Sequence, residues 1–342
     1  MLKSRKWDRH KTGGLIFTEL GFGTAPLGNL YKSISDAEAQ ATLELAWKSG
    51  LRYYDTAPLY GLGLSETRLN PFLRSKPREE YIISSKVGRL LQVCNEKDRD
   101  GIGKWFEVPN RIQQIDYSYD GVMRSIEFSL ERLGLSKLDI LYAHDLDIFT
   151  HGSKQASDAR INEFFDKKGY DAMLSLRDQG VVSAIGAGVN EWEVCQTMSE
   201  RGDFDIFLLA GRYTLLEQDA LNSFLPLCES RKIGIVTGGP YNSGILASGP
   251  IPGAFYDYDP APTEIIEKVR KIENICSEFN IPLKSAAIQF PLLHPTHLSV
   301  IPGGQSTQEM TSNLEAIILE IPLELWTTLK EADLLHPQAP VS

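Results

Sequence analysis

Gly21-Phe22-Gly23-Thr24-Ala25-Pro26-Leu27-Gly28 decides between the two α/β folds open to this chain. A doubly wound dinucleotide-binding sheet requires G-x-G-x-x-G after its first strand, because those glycines let backbone and helix approach a pyrophosphate. Here the third glycine position is Pro26, so the fingerprint fails. Outward from this stretch, short apolar runs alternate with longer helical patterns nearly to the end. Residues 20–24, 51–55, 81–86, 138–143, 181–186, 204–209, 233–237 and 298–301 are rich in Ile, Leu, Val and Tyr, and they read as eight buried parallel strands. Helices are expected at 36–49, 119–132, 158–179, 217–231, 263–279 and 308–318. The first opens on Ser35-Asp36-Ala37-Glu38, a capping box, and ends before Gly50. Eight strand–helix units without a composition break predict an α/β fold, a single (β/α)8 TIM barrel occupying 1–342 as one domain.

Two connections are too long for simple turns. Residues 87–117 and 238–262 follow the third and seventh strands and are dense in Gly, Pro, Asp and aromatics. Long ordered loops of this kind are lids or binding loops, and after barrel strands they fall on the catalytic face.

Composition narrows the function classes. The 342 residues carry 35 Lys+Arg against 45 Asp+Glu, a net charge of −10, with 42% apolar residues. An acidic chain without a basic run is a poor nucleic-acid ligand. No apolar run approaches the length of a membrane span. The first eleven residues carry five cations but no apolar h-region, unlike a secretory signal. Cys94, Cys195, Cys228 and Cys276 are far apart, which fits a reducing cytoplasm rather than a disulfide framework. The expected partner is a small-molecule substrate, with no nucleic acid and no membrane, and the expected assembly is a monomer or small homo-oligomer.

Polar residues stand at successive strand ends. Asp55 ends the second strand within Asp55-Thr-Ala-Pro-Leu-Tyr60-Gly61, Lys86 ends the third, and His144 follows the fourth. Each alone reads as a rim residue. Together they bring four titratable groups to one barrel mouth, an arrangement suited to catalysis.

These motifs resemble the aldo-keto reductase family. Leu20-Gly-Phe-Gly-Thr24, Asp55-Thr-Ala-x-x-Tyr60-Gly61, Ser85-Lys86, His144-Asp145 and Ile301-Pro-Gly303 through Asn313 occur in that family's order and spacing. The resemblance implies a catalytic tetrad of Asp55, Tyr60, Lys86 and His144, and a nicotinamide cofactor bound without a Rossmann fold. A phenol has a pKa of about 10 and is a poor base at neutral pH. Lys86 is expected to lower the pKa of Tyr60, Asp55 to hold Lys86 charged, and His144 to orient the substrate oxygen.

The resemblance also implies a cofactor site. It comprises Gly23, Thr24, Ala25 and Asp55 near the first strands, then Asn190, Tyr213, Gly238, Pro240, Asn242 and Gly244. Gly303, Gly304, Gln305, Ser306, Glu309 and Asn313 complete it. Adjacent glycines before a helix N-terminus let amides approach a phosphate. Family members that use NADPH carry Arg or Lys near positions 305 and 309; here Gln305 and Glu309 stand there. A carboxylate repels a 2′-phosphate but accepts from a ribose hydroxyl, so NAD is expected over NADP. Asn190 is expected to bond both atoms of the nicotinamide carboxamide. The aromatic that stacks beneath nicotinamide aligns with Gly238, which leaves Tyr213 or Tyr241 as substitutes.

The runs 209–216, 237–246 and 117–120 look like the branch containing D-threo-aldose (L-fucose) 1-dehydrogenases and pyridoxal 4-dehydrogenases, which oxidise cyclic hemiacetals to lactones. The implied substrate is an aldose or a pyridoxal-like hemiacetal, contacted by Tyr60 and His144. A general NADPH aldehyde reductase and a cofactor-sensing regulatory subunit are the rivals. Arg212 reads equally as a ligand for substrate hydroxyls or as a salt-bridge partner of a loop carboxylate. Trp105 and Phe106 read as an apolar wall or as loop anchors. Asp145, Asp147 and His151 are placed at the substrate mouth. His294 and His297 fall on the opposite rim with structural roles, and no metal site is expected.

Overall fold

In the computed structural model, which describes residues 2–9 and 14–341, the chain opens with an antiparallel hairpin of β1 (Ser4–Trp7) and β2 (Leu15–Thr18). Next come β3 (Phe22–Gly23), β4 (Tyr53–Asp55) and β5 (Ile82–Val87). A second hairpin, β6 (Arg89–Val93) with β7 (Arg111–Ile115), precedes β8 (Ile140–His144), β9 (Ala184–Val189), β10 (Ile206–Ala210) and β11 (Gly234–Gly238). A short hairpin of β12 (Phe255–Tyr256) and β13 (Asp259–Pro260) leads to β14 (His297–Ile301). Strands β3, β4, β5, β8, β9, β10, β11 and β14 pair in that order, all parallel. Parallel bridges from Leu20 to Val300 and from Gly23 to Gly303 join the ends and close the (β/α)8 barrel.

Side chains alternate across a strand, so every second residue points into the barrel. From bottom to top the inward columns are Tyr53–Asp55, Ile82–Ser84–Lys86, Ile140–Tyr142–His144 and Ala184–Gly186–Gly188. Tyr53, Ile82, Ile140, Tyr142 and Ala184 belong to one buried interior cluster with Trp7, Phe17 and Leu298. Trp7 and Phe17 come from the N-terminal hairpin, which plugs the barrel floor. The outward residues, such as Tyr54, Ile83 and Leu141, pack against the helices in a second, larger cluster.

Two of the expected helices and one strand depart from the sequence pattern. The capping box is present: the Glu38 amide donates to Ser35 Oγ at 3.2 Å and the Ser35 amide to Glu38 Oε2 at 2.8 Å. The helix expected at 158–179 is two helices, Lys154–Asp166 and Gly169–Asp178, broken where the Tyr119 amide takes the Lys167 carbonyl and Lys168 turns left-handed. A Cβ on Gly169 would stand 2.0 Å from the Tyr117 carbonyl oxygen, so the chain crosses closely there. The helix expected from 217 begins at Phe224, because Pro226 has no amide with which to extend it backward beyond the first turn. The fifth barrel strand starts at Ala184 rather than 181, since the amides of Val181 and Val182 both bond to Leu176 and finish the preceding helix. The long loops carry the hairpins β6–β7 and β12–β13 and the short helix Ile245–Ser248. The N-terminal hairpin has no counterpart among the expected strands; of the first eleven residues, 1, 10 and 11 lie outside the described residues.

One close approach fixes the Tyr60 turn. Gly61 is left-handed at φ 62°, and a Cβ on Gly28 would meet the Gly61 nitrogen at 2.5 Å. The loop after β3 therefore rests backbone against backbone on the turn that carries Tyr60. Gly28→Ala is expected to displace that turn and to lower kcat/KM about 10–100-fold in steady-state assays, the scale of a misplacement of about 1 Å.

Candidate active site

Strand parity and register assemble the site. Asp55 pairs with Ser84 across β4 and β5, Lys86 with Tyr142 across β5 and β8, and His144 with Gly188 across β8 and β9. Asp55, Lys86 and His144 therefore all point inward near the C-terminal ends of their strands, and Tyr60 enters from the turn after β4. Lys86 Nζ donates to Asp55 Oδ2 at 2.6 Å, to the Thr56 carbonyl at 2.9 Å and to Tyr60 Oη at 3.1 Å. The ammonium also lies 4.6 Å from the Tyr60 ring centre. The His144 ring stands edge-on to Tyr60, with centroids 6.1 Å apart. Asp55, Lys86 and His144 are all buried.

Burial dominates the electrostatics. It pushes the Asp55 carboxyl up, opposed by the Lys86 charge and by hydrogen bonds from Lys86 and Ser84. It also pushes the Tyr60 phenol well above its ordinary value, with the charges of Asp55 and Asp145 adding to the rise and Arg89 opposing it. Enclosure and the two carboxylates outweigh the opposing Arg89 charge, so the phenol is held up, against the expectation of an acidified Tyr60. His144 is pushed well below the usual imidazole value by burial and by the charges of Lys86 and Arg89, so its ring is neutral at physiological pH. Such a set can hold a proton on a phenol beside an amine and offer a neutral imidazole to a second oxygen.

These groups open into a cavity of about 440 Å³. Tyr31, Trp105, Phe149 and Tyr258 give it an aromatic mouth, and Arg89, Lys104, Gln113, Asp145 and Asn190 supply polar contacts. Phe149 and Tyr258 lie 5.2 Å apart between ring centres. Trp105 is buried beside Tyr60 at 6.5 Å, whereas Phe106 is 40% exposed and does not line the cavity; its part in the apolar wall is withdrawn. Arg212 Nη2 donates to both carboxylate oxygens of Asp257 at 2.9 Å, and its side chain lines a neighbouring groove. Of its two readings, the salt bridge to a loop carboxylate is the one present. Arg89, Gln113, Phe149 and Tyr258 were not singled out from the sequence, because no local motif marks residues that loops deliver to a mouth.

The expected cofactor residues divide. Asn190 is held by Asp147: its backbone amide and Nδ2 donate to Asp147 Oδ2 at 2.7 and 2.9 Å, so its amide orientation is fixed and Oδ1 carries no bond to Asp147. Asp147 is therefore buried support rather than a mouth residue. Glu191 caps the short helix Ile148–His151 through the amides of Ile148 and Phe149. Tyr213 is fully buried, its ring 4.6 Å from His297 and 5.3 Å from Phe290 in the layer between sheet and helices. It cannot reach a ligand, and its place among the cofactor residues is corrected. The Tyr241 hydroxyl donates to Asn313 Oδ1 at 2.9 Å. His297 begins β14 in the core and His294 bonds to Thr296.

Gly238 ends β11, and Pro240, Asn242 and Gly244 follow it where Gly239, Asn242, Ser243 and Gly244 all have positive φ. Two non-glycine residues held left-handed cost on the order of 1 kcal/mol or more each, and backbone of this kind forms anion-binding nests. Asn242 Nδ2 donates to the Gly211 carbonyl at 3.0 Å while its buried Oδ1 has no partner. Gly303, Gly304, Gln305 and Ser306 precede the helix Thr307–Ile318, and Glu309 accepts from the Gln305 amide at 2.7 Å. Gln305 Nε2 reaches the Leu30 carbonyl at 2.7 Å. Gly23, Thr24 and Ala25 lie across from this segment, Gly23 bridging to Gly303.

Comparison with known proteins agrees with this geometry. The sequence model of the aldo/keto reductase family matches residues 19–334, and the chain belongs to that family. It is an oxidoreductase of the aldo-keto reductase type. It is 41% identical over 332 residues to a pyridoxal 4-dehydrogenase of Microbacterium luteolum, covering 94% of this chain and 96% of the relative. It is 42% identical over 326 residues to a D-threo-aldose 1-dehydrogenase of Pseudomonas, with the same coverage. An aldo-keto reductase of Bacillus halodurans solved in its holo form shares the fold, with a TM-score of 0.74 at 22% identity over 99% of this chain and all of the other.

The enclosed phenol generates a prediction. A raised Tyr60 is protonated at neutral pH, so oxidation, which needs it unprotonated, should rise with pH through the neutral range. Reduction should be flat there and fall at alkaline pH. Tyr60→Phe should lose about 10²–10⁴-fold in turnover in both directions while still quenching on titration with reduced nicotinamide.

Proposed function

We propose that this oxidoreductase converts a cyclic hemiacetal, first of all that of an aldose, to its lactone. The contact of Lys86 Nζ with both Tyr60 Oη and Asp55 at the floor of the cavity is the observation that carries the reading. The nicotinamide, when bound, supplies the hydride acceptor. Tyr60 receives the proton of the anomeric hydroxyl, Lys86 stabilises the oxygen that must be negative to receive it, Asp55 holds Lys86, and His144 orients the substrate oxygen. Arg89, Gln113 and Asp145 offer hydrogen bonds to the remaining hydroxyls. The relatives named as a D-threo-aldose 1-dehydrogenase and a pyridoxal 4-dehydrogenase support these two substrate classes. The aromatic mouth of Tyr31, Phe149 and Tyr258 favours a second substrate, the hemiacetal of pyridoxal, whose flat ring would stack there.

The cofactor residues we assign are Asn190 for the carboxamide, the positive-φ segment through Asn242 and Gly244 for the pyrophosphate, and Gly303 to Asn313 for the adenosine end. NAD is the preferred form. The Glu309 carboxylate already occupies the amide before the helix Thr307–Ile318, where a 2′-phosphate would meet like charge. The four described cysteines are unpaired, in keeping with a cytoplasmic enzyme.

L-Fucose, D-arabinose, L-galactose and pyridoxal, each offered with NAD and with NADP and followed at the reduced-cofactor absorbance, test the substrate class. Turnover of at least one hemiacetal is expected, and inactivity with all four would end the reading. Glu309→Arg should move the ratio of kcat/KM for NADP over NAD up by at least about tenfold, the value of roughly 1.4 kcal/mol from one charge-assisted hydrogen bond.

A further inference from the structure

Beneath the catalytic layer the barrel holds hydroxyls where packed aliphatics are the rule. Asp55 Oδ1, the oxygen that does not face Lys86, accepts from Ser84 Oγ at 2.7 Å. Ser84 Oγ lies 3.0 Å from Tyr53 Oη, and Tyr53 Oη lies 3.4 Å from Tyr142 Oη. All these side chains are fully buried. A carboxylate has no proton to give, so the order of donation is set: Ser84 donates to Asp55, Tyr53 to Ser84, and Tyr142, the loosest link, to Tyr53. The alternative acceptor for Ser84, the Tyr54 carbonyl, is 3.5 Å away and loses to the shorter contact.

The fold makes room for this column. A Cβ on Gly21 would stand 2.9 Å from Tyr53 Cδ1, and one on Gly188 would stand 3.2 Å from Lys86 Cε. The groups facing Asp55 are Lys86 and Ser84 from β5, Tyr53 on its own strand and Tyr60 from the following turn; Tyr142 lies behind them on β8, and Gly21 and the β3 residue Gly23 bring no side chain. Burial pushes both Tyr53 and Tyr142 far up, so each remains a neutral donor.

We propose that Ser84 and Tyr53, backed by Tyr142, are positioning residues that keep Asp55 ionised inside the barrel, and through it keep Lys86 charged against Tyr60. The inference rests on Tyr60 being the proton carrier. A buried carboxylate beside a buried ammonium is poised between an ion pair and a neutral pair, and donors aimed at the carboxylate favour the ion pair. Without them the balance tilts from the ion pair toward the neutral pair, in which Tyr60 has no cation beside it.

Ser84→Ala and Tyr53→Phe, the second keeping ring volume, test this in the full-length enzyme. The ionisation that limits oxidation in the kcat–pH profile should move up by about one pH unit in Ser84→Ala, the worth of one hydrogen bond to a charged group. A smaller shift in the same direction is expected in Tyr53→Phe, with KM for the cofactor unchanged in both. A second measurement needs no substrate: a carboxyl carbonyl band in infrared pH titration, absent from Asp55→Asn, should appear at higher pH in Ser84→Ala than in the parent. If both variants titrate like the parent in the infrared, the proposal is overturned whatever their turnover. A shifted infrared band with an unchanged kcat profile would uphold the support of Asp55 and count against Tyr60 as the proton carrier.

Discussion

The contact between Lys86 and Asp55, 2.6 Å long and sealed inside the barrel, is what the rest of the site depends on. Two charges held away from water are stable only with close geometry and further hydrogen bonds, and removing one partner of such a pair typically costs about 3–5 kcal/mol. Here the further bonds come from Ser84 on the carboxylate and from the Thr56 carbonyl on the ammonium. The ammonium has one remaining direction, and it points at the Tyr60 hydroxyl. The geometry of the tetrad thus follows from satisfying a buried ion pair.

Much of this was legible in the sequence because it is periodic. The parallel strands announce themselves as short apolar runs, and the failure at Pro26 removes the rival fold. Alternation then points Asp55, Lys86 and His144 into one barrel mouth once each is known to stand near the end of a strand. The capping box at Ser35 was readable for the same reason, since its chemistry is local. What escaped depends on contacts between distant segments. The break at Lys167 exists because Tyr119 takes a carbonyl from the helix, and Tyr213 lies buried because Phe290 and His297 surround it. Neither partner is visible from the residue itself.

The mouth shows the same limit. Leu30 pairs with Trp105, and the Tyr31 amide donates to the Lys104 carbonyl, so the loops after β3 and β5 form one wall. On the far side, Asp257 and Tyr258 sit in the tight turn between β12 and β13, both left-handed. Arg212 holds Asp257, and Ser243 Oγ accepts from the Tyr258 amide at 2.8 Å. The second long loop is therefore anchored at both its tip and its base. The aromatic mouth is a built surface, and its shape belongs to the fold as much as the tetrad does.

The glycines at positions 21 and 188 carry a consequence for how such a chain can change. Each leaves space for a large polar side chain from another strand, Gly21 for Tyr53 and Gly188 for Lys86. A larger residue at either position forces its counterpart to move, and the effects of two such changes do not add. Mutational drift across the barrel interior must therefore proceed by coupled replacements, and sequences descended from this one should covary at the 21–53 pair while leaving 188 fixed for as long as Lys86 is kept.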